Sequence, residues 1–137
     1  MREILFRGKA AEDEEFFNVK QGQWLYGSLV IDEYADCLFV EDSSEEDIKT
    51  SCILPETVGQ YTGLKDKNGA KIFEGDIVRL ENDYIRYILY SGVRCSFITM
   101  MYCNQLECYE MCRLGEYSEH EIEVIGNIHD NPELMEV

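Results

Sequence analysis

Basic side chains are scarce in this sequence: 12 Lys and Arg stand against 28 Asp and Glu over 137 residues, a formal charge of −16. A chain so acidic is poorly equipped to neutralise a phosphate backbone, which argues against nucleic acid as its partner. Proline occurs only twice, which excludes proline-rich and collagen-like architectures. No run of 18 apolar residues is present, and that rules out a membrane-spanning helix. The opening MREILFRGKAAEDEEFF has neither the apolar core nor the small-residue cleavage site of a secretory signal, so a cytoplasmic location is expected. Histidine occurs twice: His120 lies in an acidic loop and reads as solvated, and His129 beside Asp130 reads as a structural pair. There is no G-x-S-x-G, Walker loop, H-E-x-x-H, EF-hand loop or dinucleotide glycine pattern. Pairs of carboxylates are inevitable among 28 acids and carry no information. No catalytic residue and no cofactor is assigned.

What is present describes a folded chain. The sequence is 45% apolar, ordinary for a globular protein in spite of its charge. A domain of this length buries roughly two-thirds of the surface that its unfolded chain exposes. The acidity is uneven. Residues 1–56 carry 5 basic and 14 acidic side chains, and residues 95–137 carry 1 and 9. Residues 57–94 carry 6 and 5, which makes them the part best suited to approach an anion. An acidic surface serves solubility, and it also fits a decoy that imitates nucleic-acid charge for a basic partner. The six cysteines (Cys37, Cys52, Cys95, Cys103, Cys108 and Cys112) are expected as reduced thiols. The spacing C-x7-C-x4-C-x3-C lacks the close pairs that grip tetrahedral zinc. They read as small apolar packing residues, and no metal is assigned.

The apolar pattern is mostly that of β-strands. Ile4-Leu5-Phe6 opens the chain, and an acidic loop follows from Glu12 to Glu15. Residues 24–31 are rich in aromatic and β-branched side chains and read as a strand, with a turn at 32–36 and a returning hairpin partner at 37–40. The acidic cluster 41–47 reads as a solvated loop, although Ser43 and Glu46 are spaced as a capping box. Pro55 marks a junction. Residues 57–63 form a strand punctuated by glycines, Asn68-Gly69 supplies a hairpin turn, and Ile72-Phe73 return. Gly75-Asp76 then break the chain before 77–80. Residues 84–90 and 93–103 alternate around Ser91-Gly92, while 106–114 fit a strand or a short helix equally well. Residues 121–129 form the last strand, interrupted by Gly126, and Asn131-Pro132-Glu133 starts a helix of one turn at most. So many short strands point to a barrel or sandwich. The expected organisation is one mainly β domain over 1–137, with a smaller β lobe at 1–54 and a larger unit at 55–137.

Residues 56–78 read ETVGQYTGLKDKNGAKIFEGDIV, and this block resembles the signature of the YopX-type family of small phage and prophage proteins. The opening residues 1–7, Tyr26-Gly27-Ser28-Leu29, Val124-Ile125-Gly126-Asn127-Ile128 and Asn131-Pro132-Glu133-Leu134 resemble the same family in the same order. Residues 79–120 match it only in being β-rich. The resemblance implies a mainly β fold whose C-terminal part is similar to a small SH3-like barrel. It also implies a phage or prophage gene expressed in the cytoplasm of a bacterial host. It implies no reaction.

Within that block the residues themselves sort into two groups. Gly59, Gly63, Asn68, Gly69, Gly75 and Asp76 read as structural: the glycines stand where strands turn, and Asp76 is suited to accept backbone N–H bonds at a turn. Gln60, Tyr61, Phe73, Tyr84 and Tyr87 are candidate binding contacts, since SH3-like barrels commonly bind with the groove between their loops. The expected function is therefore contact with an unknown macromolecule, a protein in first place, or with a second copy through open strand edges. A competing reading is a nucleic-acid module presenting Lys65, Lys67, Lys71, Arg79, Arg86 and Arg94 on one side of the 57–94 hairpins. The acidic decoy is a third.

Overall fold

The structure is a computed structural model, and it describes residues 2–15, 18–33, 38–41, 49–81, 83–103, 106–117 and 119–135. The chain is mainly β, its helical content among the described residues being short 3-10 turns. It divides into two compact units, 1–61 and 62–137. No described helix is long and apolar enough to cross a membrane.

The first unit holds β1 (Phe6–Lys9), β2 (Trp24–Val30), β3 (Leu38–Glu41), β4 (Lys49–Cys52) and the start of β5 (Gly59–Lys65). They are hydrogen-bonded in the order β4-β3-β2-β1-β5, each neighbouring pair antiparallel. The opening strand runs Phe6–Lys9 rather than 4–6, because β2 offers its ladder there: Tyr26 faces Arg7 and Trp24 faces Lys9. The guanidinium of Arg7 and the ammonium of Lys9 lie over the Trp24 ring, at 4.8 and 5.4 Å from its centroid, an attraction absent from the 4–6 register. Leu25 turns inward onto Ala10, Val19 and Ile53, with Phe6, Leu29 and Val58 packed around them. Tyr26 and Val30, on the other parity of the same strand, are exposed, as a period of two requires. The hairpin of residues 24–40 is present as β2 and β3. Its turn at 34–36 and the acidic cluster at 42–47 fall outside the described residues.

Pro55 opens a 3-10 turn, Pro55–Thr57, where its missing N–H leaves nothing unsatisfied. Thr57 locks that turn: its hydroxyl donates to Leu54 O at 2.6 Å and accepts from Lys9 N at 2.8 Å.

The second unit holds the rest of β5 with β6 (Lys71–Phe73) beside it, then β7 (Asp76–Leu80), β8 (Ile85–Ser91), β9 (Ser96–Cys103), β10 (Leu106–Arg113) and β11 (Ile122–Asn127). The last five make a sheet in the order β10-β9-β8-β7-β11. Residues 106–113, ambiguous by periodicity, are a strand, because the ladder of β9 is open to receive them. Residues 92–95 form the turn before β9, with Cys95 at φ 51 and Val93 almost fully exposed, so β9 starts at Ser96. Ile72, Val78, Leu80, Ile88, Leu114 and Ile122 form the core, with Leu64, Phe97, Tyr117 and Val124 against it.

Two polar devices tie this unit together. The buried carboxylate of Asp66 accepts from Asn68 N and Ala70 N at 2.9 Å each, closing the β5–β6 turn. Its second oxygen accepts from Val124 N at 2.9 Å, while Lys67 N donates to Ile122 O at 3.0 Å. The turn thus occupies the outer edge of β11 at two positions. The second device joins the Gly75-Asp76 corner to the C-terminal turn. Gly75 has φ 92, a left-handed conformation that side chains with a Cβ resist. Asp76 Oδ2 accepts from Phe73 N at 2.7 Å, and Gly75 O accepts from Ile128 N at 2.9 Å. Asn127 Oδ1 holds the N–H groups of His129 and Asp130 at 3.0 and 2.9 Å.

Candidate binding site

The second unit opens on a cleft of about 380 Å³, lined by Thr62, Leu64, Ser96, Phe97, Arg113, Leu114, Gly115 and Glu116. Three local features build it. Gly63, at φ 90, interrupts β5 between Thr62 and Leu64. The Thr62 hydroxyl donates to Ile72 O at 2.7 Å and accepts from Leu64 N at 3.3 Å, fixing that wall to β6. The opposite wall is the start of β9, where Phe97 meets Tyr90 of β8 edge to face, with ring centroids 5.4 Å apart. The third side is the 3-10 turn Leu114–Glu116 after β10, closed by Tyr117 N donating to Leu114 O. Leu114 is sunk in the core and holds the turn in place.

The chemistry of the cleft is that of a binding surface. Leu64, Phe97 and Leu114 give an apolar interior. Ser96 Oγ is sealed from solvent without a hydrogen-bond partner. Arg113 and Glu116 are exposed at the mouth. Among the described residues no group of three or more His, Cys, Asp or Glu is placed to hold a metal. In the first unit the Cys52 thiol is pushed above its ordinary value by burial and then by Glu12 and Glu14. Less thiolate is present there, hence a weaker nucleophile.

Gln60 and Tyr61 belong to the first unit, and Phe73, Tyr84 and Tyr87 to the second. Tyr61 and Phe73 are both buried, each at an inward position of its strand. Tyr87 is half-buried and Gln60 likewise, and Tyr84 is 56% exposed. Gly59, Gly75 and Asp76 are interior, and Gly63, Asn68 and Gly69 are at exposed bends. Arg86 is buried, facing the core side of β8, and Lys67 pairs with Glu123 at 3.3 Å. The cleft residues Ser96, Phe97, Arg113 and Leu114 were missed. Their only signals are the alternation of 93–103 and the apolar set of 106–114, neither of which tells which elements will face each other.

Fold and cleft together define a small, mainly β protein with an apolar slot in its second unit. The chain belongs to the YopX protein family, whose pattern it matches over residues 5–136. It is similar to the crystal structure of protein EF1440 from Enterococcus faecalis, with 24% identity, a TM-score of 0.45, and coverage of 99% of this chain and 100% of that one. No curated protein matches the chain.

Proposed function

We propose that the chain is a non-catalytic interaction module, encoded by a phage or prophage and working in the cytoplasm of its bacterial host. In this reading it holds a protein partner by an apolar side chain inserted into the cleft of the second unit. The cleft is the observation that carries it: Leu64, Phe97 and Leu114 form the interior, with Ser96 Oγ unpartnered in the wall. Its volume of about 380 Å³ lies at the small end of ligand sites, enough for one or two side chains. An apolar anchor ringed by polar groups is how protein–protein hot spots are built. Arg113 and Glu116 at the mouth select a segment with complementary charges flanking the anchor. Nucleic acid is disfavoured by the net −16 and by the burial of Arg86. A second copy would not pair on the β11 edge, which is taken at Ile122 and Val124.

Gly115 supplies the test. A Cβ built there meets nothing within 4 Å, so Gly115→Trp puts a bulky ring on the lining of the cleft with little effect on the fold. A photo-crosslinking residue at Glu116 should trap a protein in host cells, and Gly115→Trp should abolish that product. Trapping unaffected by the tryptophan, or a product that is nucleic acid, rejects the reading.

A further inference from the structure

Asn68 is the only asparagine of the sequence that is followed by glycine. Spontaneous conversion of an asparagine begins when the backbone nitrogen of the next residue attacks the side-chain Cγ. A side chain on that next residue crowds the attack, and glycine has none. Val19 follows Asn18, Ile128 follows Asn127, and Pro132, which has no N–H, follows Asn131. Gly69 sits at φ 83, a conformation that glycine adopts at least cost, so the turn itself demands the residue that makes Asn68 vulnerable. Asn68 and Gly69 are both exposed, and a Cβ built at Gly69 meets nothing within 4 Å. Solvent base and water reach the pair.

The fold opposes the reaction at the attacking atom. Gly69 N donates to Asp66 O at 3.0 Å, so its proton is held in the turn. Asn68 N and Ala70 N are fixed on either side of it by Asp66 Oδ1, at 2.9 Å each. Asp66 N donates in turn to Ala70 O at 2.8 Å. Bringing Gly69 N toward the Asn68 side chain means rotating the peptide between them, which breaks the bond to Asp66 O and pulls on both carboxylate bonds. Reaction therefore waits on a local opening of the turn, which has a free energy of its own.

We propose that Asn68 is a covalent modification site, converted spontaneously to isoaspartate, and that the Asp66 turn gates the conversion. Gly69 N loses its proton to solvent base and bonds to Asn68 Cγ, while Nδ2 leaves as ammonia and a succinimide remains. Water then opens the ring. Attack at the main-chain carbonyl breaks its bond to Gly69 N and leaves the chain running through Cγ as isoaspartate; attack at Cγ gives aspartate. Isoaspartate adds one carbon to the backbone between two N–H groups that a single Asp66 oxygen holds. The same carboxylate accepts from Val124 N at 2.9 Å, so the modification loosens the grip of the turn on β11. The site is separate from the cleft and does not depend on it.

The full-length protein is incubated in mildly alkaline buffer, and product at each asparagine is quantified by peptide mass spectrometry, with isoaspartate methyltransferase marking the isomer. Product should form at Asn68 ahead of Asn18 and Asn127, at least about tenfold more slowly than in the urea-unfolded chain. Asp66→Ala should accelerate it about tenfold or more. Asp66→Asn, which keeps an acceptor for Asn68 and Ala70, should not. Asn68→Gln, whose longer side chain disfavours the ring, should remove the product. The proposal is overturned if the folded protein reacts as fast as the unfolded chain, if Asp66→Ala leaves the rate at Asn68 unchanged, or if Asn18 or Asn127 reacts first. Should Asp66→Ala misfold, the comparison of folded with unfolded wild type still decides.

Discussion

Replacing Asp66 tests the account of how the second unit is held together. Its carboxylate is 4% exposed and accepts three backbone N–H bonds, from Asn68, Ala70 and Val124. In Asp66→Ala all three donors lose their acceptor. A buried donor left unpaired costs about 1–3 kcal/mol, and the two donors in the turn recover part of that from water. The loss should be roughly 3–5 kcal/mol, a large share of the 5–15 kcal/mol available to a domain. Asp66→Asn keeps one acceptor oxygen for Asn68 and Ala70 but turns an amide NH₂ toward Val124 N–H. It should cost roughly 1–3 kcal/mol and act on the link to β11 alone. Urea unfolding followed by circular dichroism measures both losses, and amide hydrogen exchange locates them. Val124 should exchange faster in both variants, and Asn68 and Ala70 only in Asp66→Ala. A loss below about 1 kcal/mol in Asp66→Ala would refute the reasoning, as would unchanged protection at Val124.

Three further outcomes follow from the same structure. Lys67→Ala removes the ion pair with Glu123, whose members are 46% and 31% exposed, and should change stability by less than about 0.5 kcal/mol in the same urea assay. Gly126→Ala sets a Cβ at 2.6 Å from Asn131 Oδ1 and should destabilise by about 1–3 kcal/mol. A double-mutant cycle with Asn131→Ala should recover most of that, and full additivity would place the clash elsewhere. Cys52 deprotonates less readily than an ordinary thiol because burial, Glu12 and Glu14 all oppose the thiolate. Its alkylation by iodoacetamide at pH 8 should lag behind a model thiol and catch up only at higher pH, and the folded state should lose stability as pH rises through the ordinary thiol range.

What the sequence by itself determined is local. Alternation at residues 24–30 defines β2, Asn68-Gly69 defines a turn, and Gly75-Asp76 defines a corner, because strand period and turn dihedrals depend on adjacent residues. The mainly β class and the family follow from the same short blocks. What only the tertiary structure decided depends on residues distant in the chain. Asp66 meets Val124 across 58 positions, so nothing near Asp66 announces its second role. Residues 106–113 become a strand because β9 leaves an edge for them. Arg86 looks like any surface cation until the register sets it opposite Val78 on the inward face. The cleft is assembled from β5, β9 and the turn after β10: which side chains converge is fixed by packing between elements, and packing has no signature in the spacing of residues along one strand.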